Sequence, residues 1–279
     1  MRKFGVSERW ACRLVGQHRS TNRYAAVPPD FEAQLVEQMT KLAEQHPRWG
    51  YRMIHGLLVE QGWEVNKKRV ERLWRQEGLQ VPPRRLKDSG QKAIGDDANS
   101  AWMLPAVAPN HVWSYDFVSA RTSDGGALRI LNVIDEHTRV ALGSRIARSI
   151  GARDVTAHLE KLFRIHGKPK VIRADNGREF IADLLQKWLL EQSVMPVFIA
   201  KASPQQNCYI ERFNGSMRRE VLNGESLHSV LEAKVVIEAW LELYNTRRPH
   251  RGLAGQTPAA YAKMARSRIR DDRSGGGGH

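Results

Sequence analysis

An α/β domain built on a mixed five-stranded sheet flanked by helices, with a small all-helical module in front of it, is the fold class this sequence predicts. Three observations carry that expectation. Apolar residues recur at helical spacing up to about residue 78, and the period dissolves between 87 and 108. Strict alternation then begins at Trp113, Tyr115 and Phe117. From there short strand-like runs interleave with helical stretches in the order β-β-β-α-β-α-β-α-α.

The first 27 residues are basic and only weakly periodic. The helical module is expected over 28–86. Pro28-Pro29-Asp30 punctuates its start, and Asp30 can cap a helix that carries Phe31, Leu35, Met39 and Leu42 at helical spacing. After Pro47-Arg48-Trp49-Gly50 a second helix carries Tyr51, Ile54, Leu57 and Leu58 and stops near Gly62. A third runs from Asn66, a good N-cap, to Gly78, a good stop, with Val70, Leu73 and Trp74 as its apolar stripe. The span 87–108, rich in Ser, Gly, Asp, Asn and Pro, reads as a linker.

Strands follow at 111–118, 128–134 and 140–147, and Asp124-Gly125-Gly126 signals a hairpin between the first two. A helix at 152–166 leads to a strand at 170–174, a helix at 181–192 and a strand at 195–200. Helices at 207–222 and 229–244 close a domain expected over 109–266. The glycine-rich end, 267–279, reads as a flexible tail.

Composition narrows the function. At 279 residues the chain can hold one large domain or two ordinary ones, and 41% hydrophobic residues with eight Trp can fill a core. A net charge of +14 favours a polyanionic partner, either nucleic acid or an anionic membrane surface. No stretch approaches the ~20 apolar residues of a spanning helix, and Arg2-Lys3 leads into no apolar signal core. Cys12 and Cys208 alone make neither a disulfide framework nor a Cys-rich zinc site. The economical expectation is a soluble intracellular protein without membrane attachment.

Three acids stand where such a fold can gather them. Asp116 lies in the first strand, opposite the Trp/Tyr/Phe face. Asp175 ends the fourth strand, where Asn176-Gly177 turns the chain away. Glu211 falls in a helix whose stripe is Ile210, Phe213, Met217 and Val221, while Asn207, Glu211, Asn214 and Arg218 share its other face. Carboxylates suit hard cations, and two Mg²⁺ ions roughly 3.5–4 Å apart can both activate an attacking oxygen and stabilise a leaving one. An Asp ending a strand is also a common turn former, and Asp135-Glu136 is an equally visible acidic pair. Spacing alone does not choose between them.

Several ordered blocks choose. The stretches 108–117 (APNHVWSYDF), 131–139 (LNVIDEHTR), 172–180 (IRADNGREF) and 203–215 (SPQQNCYIERFNG) resemble the catalytic domain of OrfB-type transposases of bacterial insertion sequences, family three. Tyr244-Asn245, Arg248-Pro249-His250 and Thr257-Pro258 resemble that family's C-terminal signature. The resemblance spans essentially the whole chain and implies an RNase H-like fold of the retroviral-integrase-like group. It implies that Asp116, Asp175 and Glu211 are the catalytic and metal-binding triad, with two Mg²⁺ or Mn²⁺ per active site. The 35 residues between Asp175 and Glu211, and the basic Arg218 seven positions after Glu211, are hallmarks of that group. It makes Asp135 a structural acid. Arg178, Lys201-Ala202, Gln206 and Arg212 depart from the family pattern and touch no triad carboxylate.

The blocks 46–52 (HPRWGYR) and 65–70 (VNKKRV) resemble the helix-turn-helix-like region upstream of that catalytic domain. Lys67, Lys68, Arg69, Arg72 and Arg75 of the third helix, with Arg218, are the candidate DNA contacts; a solvated basic face is the bland reading of the same residues. Implied partners are double-stranded DNA at element ends and target, a second copy of the chain in the DNA complex, and an OrfA product, free or fused, in a bacterial cytoplasm. The expected reaction is metal-dependent cleavage at element ends followed by strand transfer. A nuclease of the same fold and a non-catalytic DNA-binding product are the alternatives.

Overall fold

The protein is described by a computed structural model over residues 6–24, 29–79, 104–174, 183–198, 207–224 and 226–275. These residues divide into two compact units, the first ending near residue 81. In the first, α1 (Glu8–Leu14) and α2 (Arg19–Asn22) lie in the segment where the sequence predicts no regular element. Polar contacts build them. Ser7 caps α1 by accepting the Trp10 N–H at 3.3 Å, and Glu8 draws in Arg23 at 2.5 Å. Neither contact leaves an apolar period to read.

The three expected helices follow as α3 (Pro29–Gln45), α4 (Tyr51–Glu60) and α5 (Lys67–Gln76). Their predicted stripes supply the core: Leu35, Met39 and Leu42, then Ile54, Leu57 and Leu58, then Val70, Leu73 and Trp74. Asn66 caps α5 by accepting the Lys68 N–H at 2.8 Å, and Gly78, at φ 66°, takes the left-handed turn that ends it.

In the second unit β1 (Val112–Arg121), β2 (Ala127–Asp135) and β3 (Ala141–Ala147) form the antiparallel meander. The chain continues through α6 (Ala152–His166), β4 (Val171–Ala174), α7 (Asp183–Glu191), β5 (Met195–Phe198) and α8 (Cys208–Met217). A π-helical turn (Arg218–Leu222), α9 (Val230–Thr246) and α10 (Pro258–Gly275) complete it. The sheet order is β3-β2-β1-β4-β5, with β4 and β5 parallel to β1. This is the mixed, helix-flanked five-stranded sheet that the sequence predicts.

Alternation along the strands sorts side chains to two cores. Trp113, Tyr115, Leu131 and Val133 pack against α6 and α7. Val118, Leu128, Ile130 and Ile134 face the opposite way, onto Ile210, Phe213 and Met217 of α8 and Ile237, Trp240 and Tyr244 of α9. The face of β1 that carries Asp116 is therefore the face covered by α8.

Three expectations need correction. The helix predicted over 207–222 is α up to Met217 and then widens into the π-helical turn, which alters no residue type and so leaves no mark in the sequence. The tail expected from residue 267 is helical as far as Gly275, since Ser267–Ser274 contains neither proline nor glycine to stop α10. The last five residues of the expected linker, 104–108, are anchored to the second unit. The Leu104 carbonyl accepts from Arg173 at 2.8 Å, and the Ala106 carbonyl bonds the His137 ring at 2.9 Å. Backbone carbonyls do this work, and side-chain composition does not reveal them. Residues 80–103 of that linker region lie outside the described residues.

A buried ion pair clamps the sheet beside β4. Arg173 reaches both oxygens of Glu136 at 2.9 and 2.8 Å, and Ser114 donates its hydroxyl to the same carboxylate. The two charged side chains are only 3% and 1% exposed. Burial pushes the Glu136 pKa up, against the pull of Ser114 and Arg173. Elsewhere His158, on α6, is pushed down to about 4, chiefly by burial and further by Arg145 and Lys161.

Arg173→Met strands a buried carboxylate and should lower unfolding free energy by about 3–5 kcal/mol in urea titration. A loss under ~1 kcal/mol would show the pair is dispensable. His158 stays neutral in the folded protein while its unfolded counterpart gains a proton below about pH 6.5. Stability should therefore be full above pH 6.5 and fall as pH drops toward 4, with His158→Gln removing roughly 3 kcal/mol of that fall.

Candidate active site

The register of the meander lines up a polar row beneath α8. Asp116 pairs with Asn132 across β1 and β2, and Asn132 pairs with Ser144 across β2 and β3. All three side chains point to the same side of the sheet, amid otherwise apolar neighbours. Ser144 Oγ donates to Asn132 Oδ1 at 2.5 Å. Asn132 Nδ2 donates to Asn214 Oδ1 at 2.7 Å, and Asn214 Nδ2 donates to Asp116 Oδ2 at 2.8 Å. The other carboxylate oxygen of Asp116 accepts the Phe117 N–H at 2.7 Å. A directed chain of hydrogen bonds thus runs from β3 to Asp116, with the buried amide of Asn214 as the link that ties α8 to the sheet.

Glu211 stands one turn before Asn214 on α8. Its side chain is exposed but not fully solvated. Burial alone pushes its pKa up, and no charge or hydrogen bond among the described residues offsets that cost. Arg218 follows at the start of the π-helical turn, where its Nη1 donates to the Ser119 carbonyl of β1 at 3.3 Å. The sequence places Glu211, Asn214 and Arg218 on one helix face. The structure adds what the amide of Asn214 holds. Asn132 and Ser144 have no counterpart in the sequence reading, although a lone Asn inside the apolar run Leu131–Ile134 is a signal for a polar contact on a buried face.

The competing acidic pair has other work. Asp135 ends β2 and is buried. Its two oxygens accept the N–H groups of Asn110 at 2.6 Å, His137 at 2.8 Å and Thr138 at 2.9 Å, which shapes the turn into β3. Glu136 belongs to the buried ion pair with Arg173. Asp175 lies outside the described residues, and among those described no three His, Cys, Asp or Glu side chains gather as a metal-binding group.

The basic candidates of the helical module divide into two sets. Arg72 and Arg69 both approach Glu32, at 2.5 and 3.7 Å, and Arg75 pairs with Glu71 at 2.7 Å. Lys67 and Lys68 are exposed in the first turn of α5 and make no ion pair among the described residues. The exposed arginine pairs are worth at most about 1 kcal/mol each, so a phosphate can displace them at low cost.

The chain is similar to known proteins along most of its length. Residues 106–204 and 192–258 match profiles described as "Integrase core domain", and residues 30–87 match one described as "HTH-like domain". A protein of insertion element IS407 from Burkholderia multivorans is 37% identical over 265 residues, which cover 95% of this chain and 94% of that protein. The chain belongs to the OrfB-type transposase family of bacterial insertion sequences. A protein of insertion element IS476 from Xanthomonas euvesicatoria is 33% identical over 94% of this chain and 74% of its own length. The transposase for insertion sequence element IS904 from Lactococcus lactis is 26% identical over 82% and 93%. Members of this family are polynucleotidyl transferases that act on DNA, and integrase cores work with divalent metal ions. Among the described residues of this transposase, no helix is long and apolar enough to cross a membrane.

Removing the Asn214 amide should cost stability as well as order. Asn214→Leu leaves Asn132 and Asp116 each short of a buried partner, and urea titration should show a loss of about 1–3 kcal/mol. An unchanged midpoint would mean that water restores both contacts without penalty.

Proposed function

We propose that Asp116, Asp175 and Glu211 form one reaction centre, which cleaves DNA at the ends of an insertion element and joins the freed ends to target DNA. The observation that carries this reading is the bond from Asn214 to Asp116, because it brings the helix turn that bears Glu211 over the strand that bears Asp116. Chain connectivity supports the third member. Asp175 follows Ala174, the last residue of β4, in the sequence. The parallel register pairs Ser114 with Arg173, which stand two positions before Asp116 and Asp175 in the sequence.

The donor set fits hard divalent cations. Asp116 and Glu211 offer carboxylate oxygens, and the raised pKa of Glu211 marks a carboxylate whose charge a cation would stabilise. Two Mg²⁺ or Mn²⁺ ions, when bound, supply Lewis acidity to the attacking and leaving oxygens of a phosphodiester. The residues of the chain supply the placement. Asn214 and the Phe117 N–H fix both oxygens of Asp116, so this carboxylate keeps its orientation while a substrate enters. Arg218, at the rim of β1, is set to meet a backbone phosphate. Lys67 and Lys68, with Arg69, Arg72 and Arg75, would hold duplex DNA through its phosphates. Assembly as an oligomer on element ends, with an OrfA product, completes the proposal.

The decisive experiment follows cleavage and strand transfer on element-end DNA with Mg²⁺ or Mn²⁺. Glu211→Gln should reduce both by more than the roughly 10–100-fold loss typical of residues that only support a metal ligand, while DNA affinity is retained. Wild-type rates in that variant would sink the assignment.

A further inference from the structure

Glu211 borders two faces of α8. At 100° per residue, Asn214 and Arg218 lie to one side of it, over the sheet, while Arg212, Gly215 and Arg219 lie to the other. That second face opens into a cavity of about 490 Å³, closed opposite by Arg139 and by the segment around His250. The cavity lies inside the second unit and has no role in the reading above.

Its chemistry is lopsided. Among the described residues, Arg139 and Arg212 line it against one carboxylate, Glu211, while two further guanidinium groups are engaged, Arg219 by the Ser216 hydroxyl at 3.2 Å and Arg248 by Glu220 at 2.8 Å. Arg139 is held rigidly. It occupies the left-handed region at φ 62° in the turn shaped by Asp135, and its guanidinium lies over the Tyr209 ring at 3.5 Å. One of its donors, Nη1, is buried without a partner among the described residues. The cost of a strained backbone and an unpaired donor at one residue points to a group that is absent from the free chain.

A second unpaired atom specifies that group further. One nitrogen of His250 bonds the Tyr244 carbonyl and must carry the proton, because a carbonyl can only accept. Burial and the neighbouring Arg248 depress the pKa of this imidazole to about 3, so the ring is neutral and Nε2 is a bare acceptor. Nε2 is also buried without a partner among the described residues. The cavity therefore offers guanidinium donors to an anion and an acceptor to an N–H or O–H group. A phosphodiester of the DNA backbone carries no O–H, so it satisfies the first and leaves the second unpaired. A nucleotide satisfies both, and about 490 Å³ lies within the range of pockets that take ligands of that size.

We propose that this cavity seats one nucleotide of a DNA strand that has left the base stack, with its phosphate on Arg139 and Arg212 and an N–H of its base on His250 Nε2. Unstacking a base costs a few kcal/mol, least where the strand is already unpaired, so the cavity favours frayed or single-stranded DNA beside the reaction centre. The location beside that centre rests on the proposed role of Glu211; the binding chemistry does not.

The test uses the full chain without divalent cation, so that it reads binding and not catalysis. A short single-stranded oligodeoxynucleotide with one 5-iododeoxyuridine is irradiated with the protein, and the crosslinked peptide is mapped. The expected product joins the base to Tyr209, Tyr244 or His250. Arg139→Gln removes a charge-assisted bond and Gly215→Leu fills the cavity without changing charge; each should lower that yield about tenfold with thermal unfolding little altered. Crosslinks confined to the helical module, or a cavity yield unchanged in both variants, overturn the proposal. So does an abasic strand that competes as well as the complete one, because it shows that phosphate alone is seated. Failure of the carboxylate assignment shows up in Glu211→Gln activity and leaves this crosslink intact.

Discussion

The buried pair of Glu136 and Arg173 is the constraint around which the second unit is arranged. A carboxylate and a guanidinium withdrawn from water tolerate each other only at close range with their remaining donors and acceptors filled. Ser114 and the Leu104 carbonyl fill them, so one charge pair draws together β1, the end of β2, β4 and the chain that enters the domain. Arg173 also sits two residues before Asp175. The same interaction that closes the sheet fixes the point at which the chain leaves β4.

Two residues further along the same face of β1 a neutral network does a different job. Asn132 and Asn214 are buried amides, each using a donor and an acceptor, and the chain they form ends on a carboxylate. Neutral amides can orient a carboxylate without cancelling its charge. An arginine in place of Asn214 would hold Asp116 as firmly and compete with a cation for it. Ion pairs build the scaffold, and amides build the site.

Much of this was legible in the sequence, for identifiable reasons. Strands and helices announce themselves by period, and alternation through Trp113, Tyr115 and Phe117 placed Asp116 on the opposite face. What escaped notice depends on partners distant in sequence. Asn132 and Asn214 are 82 positions apart, and Glu136 and Arg173 are 37 apart. No local pattern records such contacts. Acidic residues alone did not separate Asp116 from Asp135; the backbone amides that satisfy Asp135 separate them. The cavity beside Glu211 was hidden for a third reason, since it depends on a left-handed residue other than glycine, Arg139, and on the fold of the Arg248-Pro249-His250 segment.

The polar row across β1, β2 and β3 carries one more consequence. Side chains alternate along a strand, so a slip of one residue between β1 and β2 would swing Asn132 into the apolar layer beneath α6, where no amide awaits it. An all-apolar meander would tolerate several alignments at similar cost. This one does not, because the hydrogen bonds that orient Asp116 form in a single register. The row therefore proofreads the sheet as it assembles: a copy of the protein that folds out of register loses its carboxylate geometry at the same time. On the proposed assignment of Asp116, joining DNA and folding correctly depend on the same three side chains.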